Sequence, residues 1–109
     1  MERVNYSEII QEILKRHSYN DLDNGTEVQL IFDKENHHYQ VIHLGWQEQR
    51  RVYGCIVHVD LKNEKIWIQR DGTEIGIANE LVAAGVPKHD IVLGFQAPYK
   101  RKFTDFAFG

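Results

Sequence analysis

The apolar residues of this chain change period near residue 26, and that change constrains the fold class more than any other feature. Upstream, Tyr6, Ile9, Ile10, Ile13, Leu14 and His17 recur at i, i+3, i+4, i+7, i+8 and i+11, the stripe of an amphipathic helix over residues 5 to 17. Asn5 is placed to accept a hydrogen bond from the first turn while Glu8 reaches back, a capping box with Asn in the Ser/Thr role. The polar stretch Ser18 to Gly25 ends this helix.

From Thr26 the period is two. Val28, Leu30 and Phe32 share one face of a strand, and after a turn at Glu35-Asn36, Tyr39, Val41 and His43 alternate with Gln40, Ile42 and Leu44. Arg51 to Leu61 is apolar on much of both faces, which places it centrally in a sheet. Lys62-Asn63-Glu64 makes a short polar turn, and Lys65 to Arg70 returns as a fourth strand paired with the third.

Asp71-Gly72 breaks that strand. Thr73 is expected to cap a second helix, Glu74 to sit in its positive first turn, and Gly85 to end it after Ala84, with Pro87 preventing resumption. Ile75, Ile77, Ala78, Leu81, Val82 and Ala84 cover about half of the helix circumference, so it is expected to lie between the sheet and a second layer. Ile91 to Leu93 is a short extended piece, and Phe103 to Phe108 alternates aromatic with small or polar groups. Exposing an aromatic costs roughly 1.5 to 3 kcal/mol, so the tail is expected to close the core or to dock on another chain. The pattern is α+β: an N-terminal helix, an antiparallel sheet of about four strands, a second helix on the sheet and a short extended C-terminal tail.

At 109 residues, 42% hydrophobic and 27% charged, the chain is sized for one domain spanning 1–109. It has no run of about 18 apolar residues that would cross a membrane. Its N-terminus has no apolar stretch of the secretory kind, so a cytoplasmic location is expected. The single cysteine, Cys55, fits a reducing compartment and a packing role. A net charge of −3 weighs against gripping nucleic acid through overall charge and leaves local basic patches to consider.

Candidate chemistry is sparse. His37, His38, His43 and His58 would need to converge to hold a metal, and their spacing includes no helical His pair, no cysteine pair and no fixed carboxylate, so no metal or other cofactor is expected. Asp60, Glu64 and Lys65 offer residue types that a metal-dependent nuclease uses, but around a tight turn where solubilising charge is ordinary. No catalytic residues are assigned. Gly72-Thr73-Glu74-Ile75-Gly76 after a strand could offer amides to an anion, with Arg70 beside it. Arg50-Arg51 and Lys100-Arg101-Lys102, the second flanked by Tyr99 and Phe103, interleave cations with aromatics as phosphate-binding and partner-binding surfaces do, and as solvated surface charge also can. Trp46 and Trp67 are read as packing residues first and interface anchors second.

The block Arg50 to Arg101 carries a signature in Lys65-Ile66-Trp67-Ile68-Gln69-Arg70-Asp71-Gly72-Thr73-Glu74-Ile75-Gly76-Ile77-Ala78, then Gly85-Val86-Pro87 and Asp90-Ile91-Val92-Leu93-Gly94-Phe95. With it the chain resembles the XisI family, the controlling factors of fdxN-element excision in cyanobacteria. The segment Glu27 to Trp46 fits the same pattern more loosely. The resemblance implies an accessory role in site-specific recombination during heterocyst development, where a separate recombinase exchanges strands. It also implies a partner, the nuclease-like protein XisH, and brings no catalytic residues. The expected function is therefore a non-enzymatic regulatory subunit that holds such a partner through the open sheet face or the aromatic tail. The alternative is a direct DNA-binding accessory that uses Arg50, Arg51 and Lys100 to Lys102. A homo-oligomer formed by adding Phe103 to Phe108 to a neighbouring sheet edge is a further expectation.

Overall fold

The computed structural model describes residues 5–18 and 25–109. Most of the polar stretch that was expected to end the first helix, residues 19–24, lies outside them, as do residues 1–4. Helix α1 spans Tyr6–Lys15, and Asn5 caps it by accepting from the Glu8 amide at 3.2 Å. Ile10, Ile13 and Leu14 of its apolar stripe are buried.

Five strands follow: β1 (Thr26–Asp33), β2 (His38–Gln47), β3 (Arg50–Lys62), β4 (Lys65–Asp71) and β5 (Ile91–Leu93). They lie in chain order in one sheet. The first four pair antiparallel, and β5 runs parallel to β4. The sheet is thus mixed and five-stranded, where four antiparallel strands were expected. The extended piece 91–93 joins it because a helix returns the chain across the sheet, so the next strand enters in the direction of β4. Asn63 and Glu64 both have positive φ, 55° and 63°, the two-residue turn whose twist matches a hairpin.

Alternation sorts the side chains into two faces. Tyr39, Val41, Val57, Val59, Ile66 and Ile68 are buried on one face, which carries α1 and the second helix. His38, Gln40, His58, Asp60, Trp67 and Gln69 occupy the opposite face, as their positions between buried neighbours and their register pairing require. Strand β4 pairs with β3 only over Val57 to Lys62, the Gly72 amide and Arg70 Nε reach Ile56 O and Cys55 O, and residues 50–54 extend past them along β2.

Helix α2 spans Ile77–Ala83 and starts later than its sequence pattern predicts. Asp71 accounts for the delay. Its Oδ1 accepts from the Thr73 amide and hydroxyl, and its Oδ2 accepts from the Ile77 amide at 2.7 Å, so residues 72–76 form a loop. Thr73 instead accepts from the Gly76 amide, and Glu74 and Ile75 lie outside the helix, Ile75 being 65% exposed. At the other end Gly85 has φ +100°, the Gly85 amide bonds to Val82 O and the Val86 amide to Leu81 O, a Schellman termination with Val86 buried beneath it. Helix α2 lies beside α1 on the same face of the sheet, where a second covering layer was expected, and just past α1 His17 Nε2 lies 2.8 Å from Glu80 Oε2. Each fully buried Ile or Leu in this layer contributes about 1.5–3 kcal/mol.

The C-terminal segment is not simply extended. It forms one helical turn, α3 (Pro98–Arg101), and then returns so that the Ala107 amide donates to Ile91 O at 2.8 Å beside β5. Phe106 packs against the core, while Phe103 and Phe108 stay 80% and 64% exposed. The tail therefore does both of the things its composition allows: one ring closes the domain and two face outward. Among the described residues no helix is long and apolar enough to cross a membrane.

Candidate interaction surface

Trp67 organises the C-terminal segment. Its ring lies between two cations, with Lys62 Nζ 4.5 Å and Arg101 Cζ 5.4 Å from the ring centre. Arg101 also donates from Nε to Gln96 O at 3.1 Å, and from its two terminal nitrogens to Gly94 O and Phe108 O at 3.4 Å each. Lys65 Nζ donates to Gly109 O at 2.6 Å. Of the predicted basic cluster, Arg101 is thus turned inward as a clamp, and only Lys100 and Lys102 are presented to solvent.

Those two lysines lie beside exposed rings, Lys100 Nζ 5.9 Å from the centre of Tyr99 and Lys102 Nζ 5.4 Å from that of Phe103. Phe95, Tyr99, Phe103 and Phe108 are all among the strongly exposed large hydrophobics. Isolated apolar residues on a surface are ordinary; four rings on one short, internally clamped segment are the composition of a contact surface.

Arg50 and Arg51 lie elsewhere, at the β2–β3 turn. Arg51 Cζ sits 5.4 Å from the centre of Trp46, and Arg50 donates to Gln47 Oε1 at 3.2 Å. Trp46 was expected to pack; it is 56% exposed, because it stands two residues from the turn on the part of the hairpin that projects past β4. Tyr53, 68% exposed, is on the same projection. Arg70 lies apart from this pair, its Nε donating to Cys55 O at 2.7 Å. In the 72–76 loop the Thr73 and Gly76 amides are taken by Asp71 and Thr73, and the Gly72 amide by Ile56 O.

The histidines separate. His38 and His58 come together with Asp60 on the open sheet face, a carboxylate the spacing rule did not anticipate because it reaches them across strands. His38 Nδ1 and His58 Nε2 lie 2.8 and 2.9 Å from Asp60 Oδ1, and Gln69 donates to Oδ2 at 3.2 Å. Burial raises the Asp60 pKa, but the hydrogen bonds from both histidines and from Gln69, with the charge on His58, outweigh it and hold the carboxyl below its usual range. His37 instead bonds Tyr39 Oη at 3.0 Å, and Tyr39 Oη lies 2.5 Å from Ser7 Oγ. Glu64 and Lys65 line a separate cleft with Asn5, Ser7 and Asp90, away from the Asp60 cleft; the nuclease trio does not assemble. Cys55 is half-buried with its thiol on Val57 O, and burial raises its pKa.

Fold and surface together define a small α+β domain built to present aromatics and cations from a clamped terminal segment and a projecting hairpin. The chain belongs to the XisI family, whose model, described as XisI protein, matches residues 1–108. A XisI-like protein from Anabaena variabilis has the same fold at a TM-score of 0.87 and 48% identity, with 94% of each chain covered. The fdxN element excision controlling factor XisI from Anabaena variabilis matches at a TM-score of 0.82 and 38% identity, over 95% of this chain and 96% of that one. No curated protein matches the sequence.

Proposed function

We propose that this protein is a non-enzymatic accessory factor for excision of the fdxN DNA element, a site-specific recombination, acting by binding a nuclease-like XisH partner. The solved relative that carries the name of fdxN element excision controlling factor supports the excision role. The observation that carries the binding mode is the set of exposed rings Phe95, Tyr99, Phe103 and Phe108 on a segment clamped by Arg101. A surface ordered in advance spends little entropy on association, and each ring that becomes buried contributes about 1.5–3 kcal/mol. The test is co-purification with the XisH-like protein. Wild type retains the partner through moderate salt, and Tyr99→Asp with Phe103→Asp releases it. Retention by that variant would remove the terminal segment from the interface.

A second reading is direct DNA binding by Arg50, Arg51, Lys100 and Lys102. It draws on Arg51 lying over the exposed Trp46, a pairing that can hold a phosphate and stack a base. It requires affinity to fall steeply with salt and to vanish when these four positions are neutralised.

A further inference from the structure

We propose that the open face of the sheet carries a transition-metal site whose ligands are His38 Nδ1, His58 Nε2 and Asp60 Oδ1. These three atoms lie within 4.8 Å of one another. In a tetrahedral zinc site with bonds of about 2.0–2.1 Å, neighbouring donor atoms stand roughly 3.3 Å apart. The two nitrogens are 2.8 and 2.9 Å from the shared carboxylate oxygen, so opening the cluster by a few tenths of an ångström admits an ion.

The scaffold is rigid. His38 and Asp60 are register partners across β2 and β3, and Gln40 and His58 form the next pair, which makes His58 the diagonal neighbour of His38 on the same face. The two imidazole rings meet edge on, at 83° with centres 6.5 Å apart, and do not block each other. Around the three ligands stand groups that orient them. Gln69 from β4 holds Asp60 Oδ2, leaving Oδ1 for the ion. Gln40 Nε2 lies 3.5 Å from His58 Nδ1, and turning this carboxamide over presents its oxygen to a proton on that nitrogen, which frees Nε2 to ligate. Asp60 is the most buried of the three, its side chain 17% exposed, and His38 the least, at 52%. The ligands line a cleft with Ile31, Asp33 and Gln40, so an ion there keeps positions open to solvent or to a donor from another molecule.

Two nitrogens and one carboxylate select zinc, nickel, cobalt or copper over magnesium or calcium, which take all-oxygen shells. The site is independent of the aromatic segment and of the excision reading.

The test is calorimetric titration of the chelator-treated full-length protein with zinc, and the absorption of its cobalt complex. One equivalent is expected to bind, to raise the melting temperature, and to bind more than about tenfold more weakly to Asp60→Asn, to His38→Gln and to the outer Gln69→Ala variant. His43→Gln should bind as wild type does. His38 is half exposed, so its replacement leaves the fold intact even if Asp60→Asn does not. Absence of saturable binding, or binding that persists in His38→Gln, would overturn the assignment and leave the cluster as a hydrogen-bonded trio.

Discussion

Arg101 lies over Trp67, the guanidinium carbon 5.4 Å from the indole ring centre, and this contact joins the Ala107 amide on Ile91 O and Lys65 Nζ on Gly109 O in tying the C-terminal segment to the sheet. Arg101 adds hydrogen bonds to the carbonyls of Gly94, Gln96 and Phe108, on both sides of its own helical turn. Trp67 is the register partner of Asp60 and lies with it on the face opposite α1 and α2.

Replacing Arg101 with Ala should therefore free the segment without unfolding the sheet. The lost stacking and the unpaired carbonyls together amount to about 1–3 kcal/mol. Hydrogen exchange should accelerate over residues 94–109 and stay slow in β2 and β3. Lys102→Ala, at an exposed position, should shift stability by less than about 0.5 kcal/mol in the same denaturation series.

Gly45 and Gly85 should respond differently to Ala. A Cβ on Gly45 would lie 2.1 Å from Gly25 O, a backbone atom, so the β1–β2 pairing must shift. One on Gly85 meets nothing within 4 Å, and only the left-handed backbone, φ +100°, opposes it. Urea denaturation should give about 1 kcal/mol for Gly85→Ala and clearly more for Gly45→Ala. Equal losses would mean that the close approach at Gly45 is not what sets the cost.

Stability should fall at high pH through Tyr6. Burial, then the hydrogen bond to Asp90 and the charge of that carboxylate, push its pKa up from 10.0 to about 12. A raised pKa means the folded state holds the proton more tightly, so the contribution is complete below pH 10 and is lost between pH 10 and about 12. Comparing the unfolding of wild type and Tyr6→Phe across that window isolates the effect. The wild type should lose more stability than the variant, and parallel curves would refute it.

Asp71→Ala should loosen the loop before α2. The carboxylate serves the Thr73 amide and hydroxyl and the Ile77 amide, so its removal should cost about 1–2 kcal/mol, as loss of a helix cap does. Asp71→Asn should recover part of this loss in thermal melts.

The α+β class, α1 with its Asn5 cap, the hairpins and the Gly85 stop were legible in the sequence, because each rests on local periodicity or on a single backbone requirement. What escaped was non-local. Three apolar residues, Ile91 to Leu93, carry no mark of whether they pair, and they become a strand only because β4 offers an edge after α2. Thr73 looked like the cap because Asp71, two residues earlier, was read only as part of the break after the strand, although its side chain reaches forward to Ile77. Arg101 looked like its neighbours Lys100 and Lys102, and only the position of Trp67 separates clamp from surface. His38, His58 and Asp60 are joined by strand register, which a spacing rule along the chain does not read.

The central claim is that this protein works by holding a partner. Light scattering on the material obtained by co-expressing it with the XisH-like protein tests that most directly. The account predicts one species in moderate salt whose mass is a defined sum of the two chains. Two separate species, each with the mass it has alone, would contradict it and favour direct contact with DNA.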